Sequence, residues 1–251
     1  ATHSHQPIAL IGPPGVGKRT LAKIYAQALV CEEELDGRTD GAPCGCCLEC
    51  RALAKSSLAY VEKDIRGDRG EDDDVSALED AQVEALHTLI ERDGGLNTAS
   101  LRVVVFNNSE EFIGMTTDIA LKTLERDVTS SLYVFLVNDE ARFSPALRSR
   151  CSVYRVGPIS VEDMVGRLLL ICERRSVAFD EAALRAVAVA GNGSFGEALA
   201  VLARVERHGD VTVENLAREP EFGWGPTMLA CWRAVQSGRP DEAMSLFGSI
   251  G

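Results

Sequence analysis

A glycine-rich loop, Gly12-Pro-Pro-Gly15-Val-Gly17-Lys18, runs on from the apolar stretch Ile8 to Ile11 and leads into a helical pattern. Glycines at this spacing let backbone N–H groups converge on phosphates, with Lys18 reaching the terminal ones. Such a loop joins a buried strand to the start of a helix, so it commits this part of the chain to an α/β scaffold. A second feature follows within one helix length: Cys31, then Cys44, Cys47 and Cys50 in a Cys-x2-Cys-x2-Cys run. Thiolates two residues apart can turn back onto one metal ion, and four complete a closed tetrahedral shell. Each feature is common alone, whereas the pair on one scaffold is rare.

The loop lacks parts that hydrolysis needs. The position after Lys18 normally carries Ser or Thr, whose hydroxyl binds Mg2+, and here it is Arg19. A guanidinium has no lone pair to offer a cation and repels it. Thr20 is one residue further along and turned about a quarter of a helical circle away, so it substitutes poorly. The strand Val103 to Phe106 should end in an acidic pair that holds Mg2+ and orients a water, but it ends in Asn107-Asn108. An amide carries no charge and cannot act as a general base. The Mg2+ site is degenerate, and the expectation is weak ATP or ADP binding, or none, through Gly12, Gly15, Gly17, Lys18, Arg19 and Thr20.

The rest of the chain alternates strand and helix up to its middle. Leu21, Ile24, Tyr25, Ala28 and Leu29 repeat at helical spacing after the loop. A strand is expected near Ala59 to Glu62, a solvated acidic loop over Gly67 to Asp74, and a helix around Val83, Leu86 and Ile90 closed by Gly94-Gly95. Strands follow at Val103 to Phe106, Leu132 to Val137 and Ser152 to Val156, with a helix over Ile119 to Glu125. This alternation implies a parallel sheet flanked by helices. Beyond Gly157-Pro158 the pattern becomes helical, over Val161 to Arg174, Asp180 to Ala190 and Phe195 to Val205. A further helical piece is expected from about residue 209, at Met228 to Val235 and Pro240 to Phe247. The expected domains are 1–157, an α/β domain with a zinc module over 31–50; 158–208, a small helical domain; and 209–251, the start of a third helical domain cut short. The first strand lies so near the start that a few N-terminal residues of the natural domain are expected to be missing.

Composition limits what such a chain can bind. A net charge of −12 argues against coating nucleic acid alone, because neutralising phosphates needs a basic face. No apolar stretch is long enough for a bilayer and no signal-peptide pattern opens the chain, so no membrane partner is expected. The clustered cysteines then favour a structural zinc site in a reducing cytoplasm over disulfides. Cys46 reads as a spectator, and Cys151, Cys172 and Cys231 as small buried side chains. Asp72-Asp73-Asp74 reads as a solvated run, Trp224 and Trp232 as packing residues, and His3 and His5 receive no role.

The order of motifs resembles the bacterial DNA polymerase III clamp-loader subunits, the gamma/tau and delta-prime group of AAA+ proteins. The resemblance rests on the phosphate loop, the four-cysteine module after the first helix, the helix Ala120-Leu-Lys-Thr-Leu-Glu125 and the triplet Ser149-Arg150-Cys151. It implies an AAA+ P-loop domain, a helical lid and the beginning of a helical collar. Arg150 then corresponds to an arginine finger acting in trans on ATP held by a neighbouring subunit. Asn138 corresponds to a polar sensor of the terminal phosphate. Gly193 to Leu199 resembles the second sensor segment, in which motor subunits carry arginine at the place of Gly196. The departures at Arg19, Asn107, Asn108 and Gly196 all weaken the chain's own site, while the group meant for a neighbour is intact. A surface arginine without a role stays open as the plain alternative for Arg150.

This pattern fits a non-hydrolysing, delta-prime-like subunit in a hetero-oligomeric ring that opens the sliding clamp and places it on primed DNA. The expected partners are other clamp-loader subunits, the clamp, and primed DNA reached through the assembly. The expected location is the bacterial cytoplasm, at the nucleoid-associated replisome. A divergent gamma/tau-type subunit that binds and hydrolyses ATP is the alternative, and an unrelated P-loop protein with a zinc ribbon is the weaker third.

Overall fold

The computed structural model describes residues 6–31, 42–55, 60–66, 83–84, 86, 102–125, 131–219, 222, 239, 241 and 244–245. It divides into two compact units, 1–157 and 158–251. The first contains β1 (Ile8–Ile11), α1 (Lys18–Val30), α2 (Leu48–Lys55), β2 (Tyr60–Asp64), β3 (Arg102–Asn107), a 3-10 turn (Ser109–Glu111), α3 (Gly114–Glu125), β4 (Ser131–Val137), α4 (Pro145–Arg150) and β5 (Ser152–Arg155). The second contains α5 (Val161–Arg175), α6 (Glu181–Ala190), α7 (Phe195–Glu206) and α8 (Val213–Leu216).

The five strands form one parallel sheet in the order β2-β3-β4-β1-β5. Both faces are covered, which is why β4 is apolar almost without a break and buried at every position. Alternate side chains pass to opposite faces. Val104, Phe106, Tyr133, Phe135 and Val137 join Ala120 of α3 and Leu147 of α4 in one core. Val103, Val105, Leu132, Val134 and Leu136 join Ala22 and Ala26 of α1 and Leu53 of α2 in the other. Phe106, Phe112, Phe135 and Phe143 add ring contacts at 5.4–6.2 Å between centroids.

The expected strands are present, and three helical differences stand out. The inward face of α1 is not the Leu21, Ile24, Tyr25 stripe: these side chains are 43%, 44% and 39% exposed, whereas Lys18, Ala22 and Ala26 are buried. The phosphate loop fixes the rotation of this helix. Lys18 must turn inward, and Ala22 and Ala26 follow at one-turn intervals on the same side, small enough to let the helix approach the sheet. Second, α3 begins at Gly114, five residues before the apolar periodicity, with Ile113 N–H donating to Thr116 Oγ1 at 3.1 Å. Third, α2, α4 and α8 are helices of eight, six and four residues, too short to show a repeat.

The helical unit has a separate core of Met164, Leu168, Leu184, Val187, Val201, Leu202 and neighbours. Ser160 caps α5, accepting from Asp163 N–H, and Ser194 caps α7, accepting from Glu197 N–H. Of the residues expected to be helical around Val83, Leu86 and Ile90, Val83, Glu84 and Leu86 are described and are helical. Gly67 to Asp74, Gly94-Gly95, His3, His5, Trp224, Cys231, Trp232 and the piece Met228 to Val235 lie outside the described residues. Of the Pro240 to Phe247 piece, Asp241, Met244 and Ser245 are described, all helical. No helix among the described residues is long and apolar enough to cross a membrane.

Candidate functional site

The phosphate loop links β1 to α1 and is shaped by its glycines. Gly12 N–H donates to Val137 O at 3.0 Å, and a Cβ there would run into the Val156 carbonyl. Gly15 and Gly17 take φ of 76° and 94°, the left-handed region that other residues enter at a cost. Thr20 is exposed.

Lys18 is 7% exposed and all three of its ammonium protons have acceptors within the chain. Nζ donates to Gly12 O at 2.6 Å, Pro13 O at 2.8 Å and Asn138 Oδ1 at 2.8 Å. Burial lowers its pKa below the ordinary lysine value, and the nearby Glu110 carboxylate opposes that shift. The lysine is drawn back onto its own loop. Its next neighbour, Arg19, takes the sequence position of the usual metal-binding hydroxyl and forms an ion pair with Glu62 of β2.

Behind Lys18 lies a polar network at the ends of β2, β3 and β4. Asn138 Nδ2 donates to Asn108 Oδ1 and to Glu110 Oε1, both at 2.8 Å, and Asn138 N–H donates to Glu110 Oε2 at 3.1 Å. Asp64, closing β2, accepts from Asn108 Nδ2 at 2.8 Å and Asn107 Nδ2 at 3.3 Å. The two asparagines at the end of β3 are therefore tied to an acid on the adjacent strand. Glu111 is also buried and pairs with Arg142 at 2.8 Å and Arg66 at 3.7 Å.

Asp64, Glu110 and Glu111 were not singled out from the sequence. The signal was present: an acidic pair does follow β3, displaced beyond Asn107-Asn108 into the 3-10 turn. Asn108 occupies the left-handed region at φ 56°, a conformation that asparagine tolerates, and this swings Glu110 back beneath Asn138. Glu110 is thereby committed to Asn138.

Arg150 closes α4 on the other side of the domain core. Its Nη1 donates to Ala146 O at 3.1 Å and its Nη2 to Glu125 Oε1 at 2.6 Å, with the side chain 40% exposed. Ser149 Oγ donates to Ala146 O at 2.9 Å. Cys151 turns into the core, where burial pushes its thiol up to about 12. Gly196 is the second residue of α7 and offers no side chain there.

The four cysteines converge. Cys31 follows the last residue of α1, Cys44 and Cys47 precede α2, and Cys50 lies in its first turn. Their Sγ atoms all lie within 4.8 Å of one another, and those of Cys44 and Cys50 are 3.9 Å apart. A tetrahedral metal with bonds of about 2.3 Å to sulfur sets S···S near 3.8 Å, so this donor set suits a closed tetrahedral site. Backbone N–H groups aim at the sulfurs: Cys47 N–H to Cys44 Sγ at 3.3 Å and Cys50 N–H to Cys47 Sγ at 3.4 Å. Burial raises the Cys50 pKa to about 12, an effect a bound cation would reverse. Cys46 points to solvent, outside the group, and Cys172 is buried in the helical unit.

Known proteins similar to this chain point the same way. The family model described as DNA polymerase III, delta subunit matches residues 2–160. DNA polymerase III subunit gamma of Buchnera aphidicola is 26% identical over 200 residues, 79% of this chain and 51% of that protein. DNA polymerase III subunit gamma/tau of Mycobacterium tuberculosis is 29% identical over 194 residues, 76% of this chain and 31% of that protein. The chain thus spans about half the length of these relatives or less. Among solved structures, the RuvB Holliday junction branch migration motor of Thermotoga maritima superposes with a TM-score of 0.56 at 14% identity, covering 86% of this chain and 61% of that one. That likeness speaks for the AAA+ P-loop fold alone.

Proposed function

The chain belongs to the DNA polymerase III delta-subunit family, and from that membership we propose that it serves as a non-hydrolysing, delta-prime-like subunit of the clamp loader. In this reading it sits in a ring of homologous subunits in the bacterial cytoplasm. There it lends Arg150 to ATP bound by the neighbouring motor subunit while the ring opens the sliding clamp and places it on primed DNA. The domain after residue 157 is the lid, the segment from 209 begins the collar, and Cys31, Cys44, Cys47 and Cys50 hold a structural zinc ion.

The asymmetry between the two arginine-bearing places carries the proposal. At the chain's own loop, Arg19 occupies the sequence position of the metal ligand, and Asn107 and Asn108 stand where acids are needed. Without a metal-binding hydroxyl, and with Glu110 and Asp64 committed to Asn138, Asn107 and Asn108, phosphoryl transfer lacks the metal's counter-charge and a free carboxylate to orient the attacking water. Arg150, by contrast, reaches the surface with a guanidinium that can stabilise charge on a phosphoryl group outside the chain.

The second reading is a divergent gamma/tau-type ATPase that binds and hydrolyses ATP with Lys18 itself; relatives named gamma and gamma/tau are among those similar to this chain. One experiment separates the two. In a ring reconstituted with its motor subunits, Arg150→Ala should reduce the steady-state ATPase rate at least about tenfold, given that arginine fingers contribute about 10³ to 10⁵. The purified subunit should hydrolyse nothing above a Lys18→Ala control. Lys18-dependent turnover by the isolated subunit, with an Arg150→Ala ring as fast as wild type, would establish the ATPase reading instead.

A further inference from the structure

We infer that Glu125 is a positioning residue for Arg150, holding the guanidinium in a defined pose at the surface until a neighbour's phosphates take its place. The inference rests on the trans role proposed for Arg150 and adds the group that prepares it.

An arginine on a surface helix is a long, rotamer-rich side chain, and a disordered guanidinium must be ordered at the moment of use. Here two contacts order it in advance. Nη1 is held by the Ala146 carbonyl one turn back on α4, and Nη2 by the Glu125 carboxylate at 2.6 Å. A guanidinium carries five N–H donors in a rigid plane, so these two contacts fix the plane while leaving donors for an outside anion.

Both ends of the contact are themselves anchored. Glu125 is the last residue of α3, whose Ala120 and Thr123 are 3% and 7% exposed. Arg150 is the last residue of α4, between Leu147 at 0% and Cys151 at 9%. Ala120, Leu147 and Cys151 belong to a single packed cluster, so the two helix ends are held in register by the domain core. A site built on such elements is more exact than one on a free loop.

The hold is also reversible. The side chains of Arg150 and Glu125 are 40% and 56% exposed, so solvent and salt weaken the ion pair. A triphosphate, with several negative charges in a drier interface, outcompetes one solvated carboxylate. The pair is strong enough to select a rotamer and weak enough to be exchanged.

The test uses the intact protein in a loader assembled with its motor subunits, clamp and primed DNA, reading kcat and KM for ATP separately. Arg150→Ala serves as the reference and should lower kcat at least about tenfold. Glu125→Gln and Glu125→Ala should each lower kcat about 3- to 10-fold with KM within about twofold, since orientation and not ground-state binding is lost. Glu125→Asp should recover part of the rate. If both Glu125 variants match or exceed wild-type kcat while Arg150→Ala is slow, Glu125 does not position the finger. The inference also fails if the losses across the Glu125 variants merely track losses in melting temperature. If Arg150→Ala is itself as fast as wild type, the trans role falls and this inference with it.

Discussion

Lys18 illustrates how a residue typed for one task can be satisfied by another. Its ammonium is hydrogen-bonded within the fold by loop carbonyls and by Asn138, which Glu110 grips at both its N–H and its side-chain amide. A phosphate entering the loop must break these bonds before gaining any. At the same scale, the cysteines separate by environment. With its thiol pushed up to about 12 by burial, Cys151 is about 10³-fold less ionised at pH 8 than an ordinary thiol near 9. Cys46 is exposed. In reduced, metal-loaded protein, an aromatic disulfide reagent should therefore modify Cys46 within minutes and leave Cys151 untouched until the protein unfolds, as peptide mapping would reveal. The shift also has a sign in stability. Because the folded value lies above the unfolded one, the contribution of the neutral Cys151 thiol is complete below pH 9 and is lost as pH rises from 9 to 12.

The helix α1 shows where sequence periodicity misleads. Its larger apolar residues, Leu21, Ile24 and Tyr25, repeat at helical spacing but are exposed; Leu21 and Tyr25 border an open apolar groove with Ile8, Leu10, Val134 and Tyr154, while Ala22 and Ala26 are buried against the sheet. Periodicity identifies that a helix is amphipathic but weights large residues over small ones. Here the loop lysine, not side-chain volume, sets the rotation. Ala26→Leu should consequently cost about 1–3 kcal/mol by overpacking, whereas Ile24→Ala should stay within about 0.5 kcal/mol, as surface changes do. Equal costs in urea unfolding would show the helix rotated toward the Leu21 stripe. The strands, by contrast, were legible almost to the residue, because β3 and β4 are apolar runs bounded by polar ends and buried on both faces.

For the molecule as a whole, the cysteine module joins the end of α1 to the start of α2, with Gln27 Nε2 donating to Cys50 O at 3.1 Å. One zinc per chain should be found by metal analysis of the reduced protein. Cys44→Ser with Cys47→Ser should bind none and should melt at a lower temperature, since metal binding contributes to folding free energy. Stoichiometric zinc in the double variant would mean that other residues hold it. Sequence alone determined the kinds of chemistry present: a phosphate loop missing its hydroxyl and acids, four thiols at metal spacing, and an arginine in a recognisable triplet. Those are local properties, written in residue type and short spacing. Only the tertiary structure decided that Asn138 and Glu110 meet beside Lys18, that Asp64 ties Asn108, that Glu125 meets Arg150, and which face of α1 turns inward. These contacts join residues 25 to 120 positions apart, and they arise from strand order and core packing, which no short window of sequence contains.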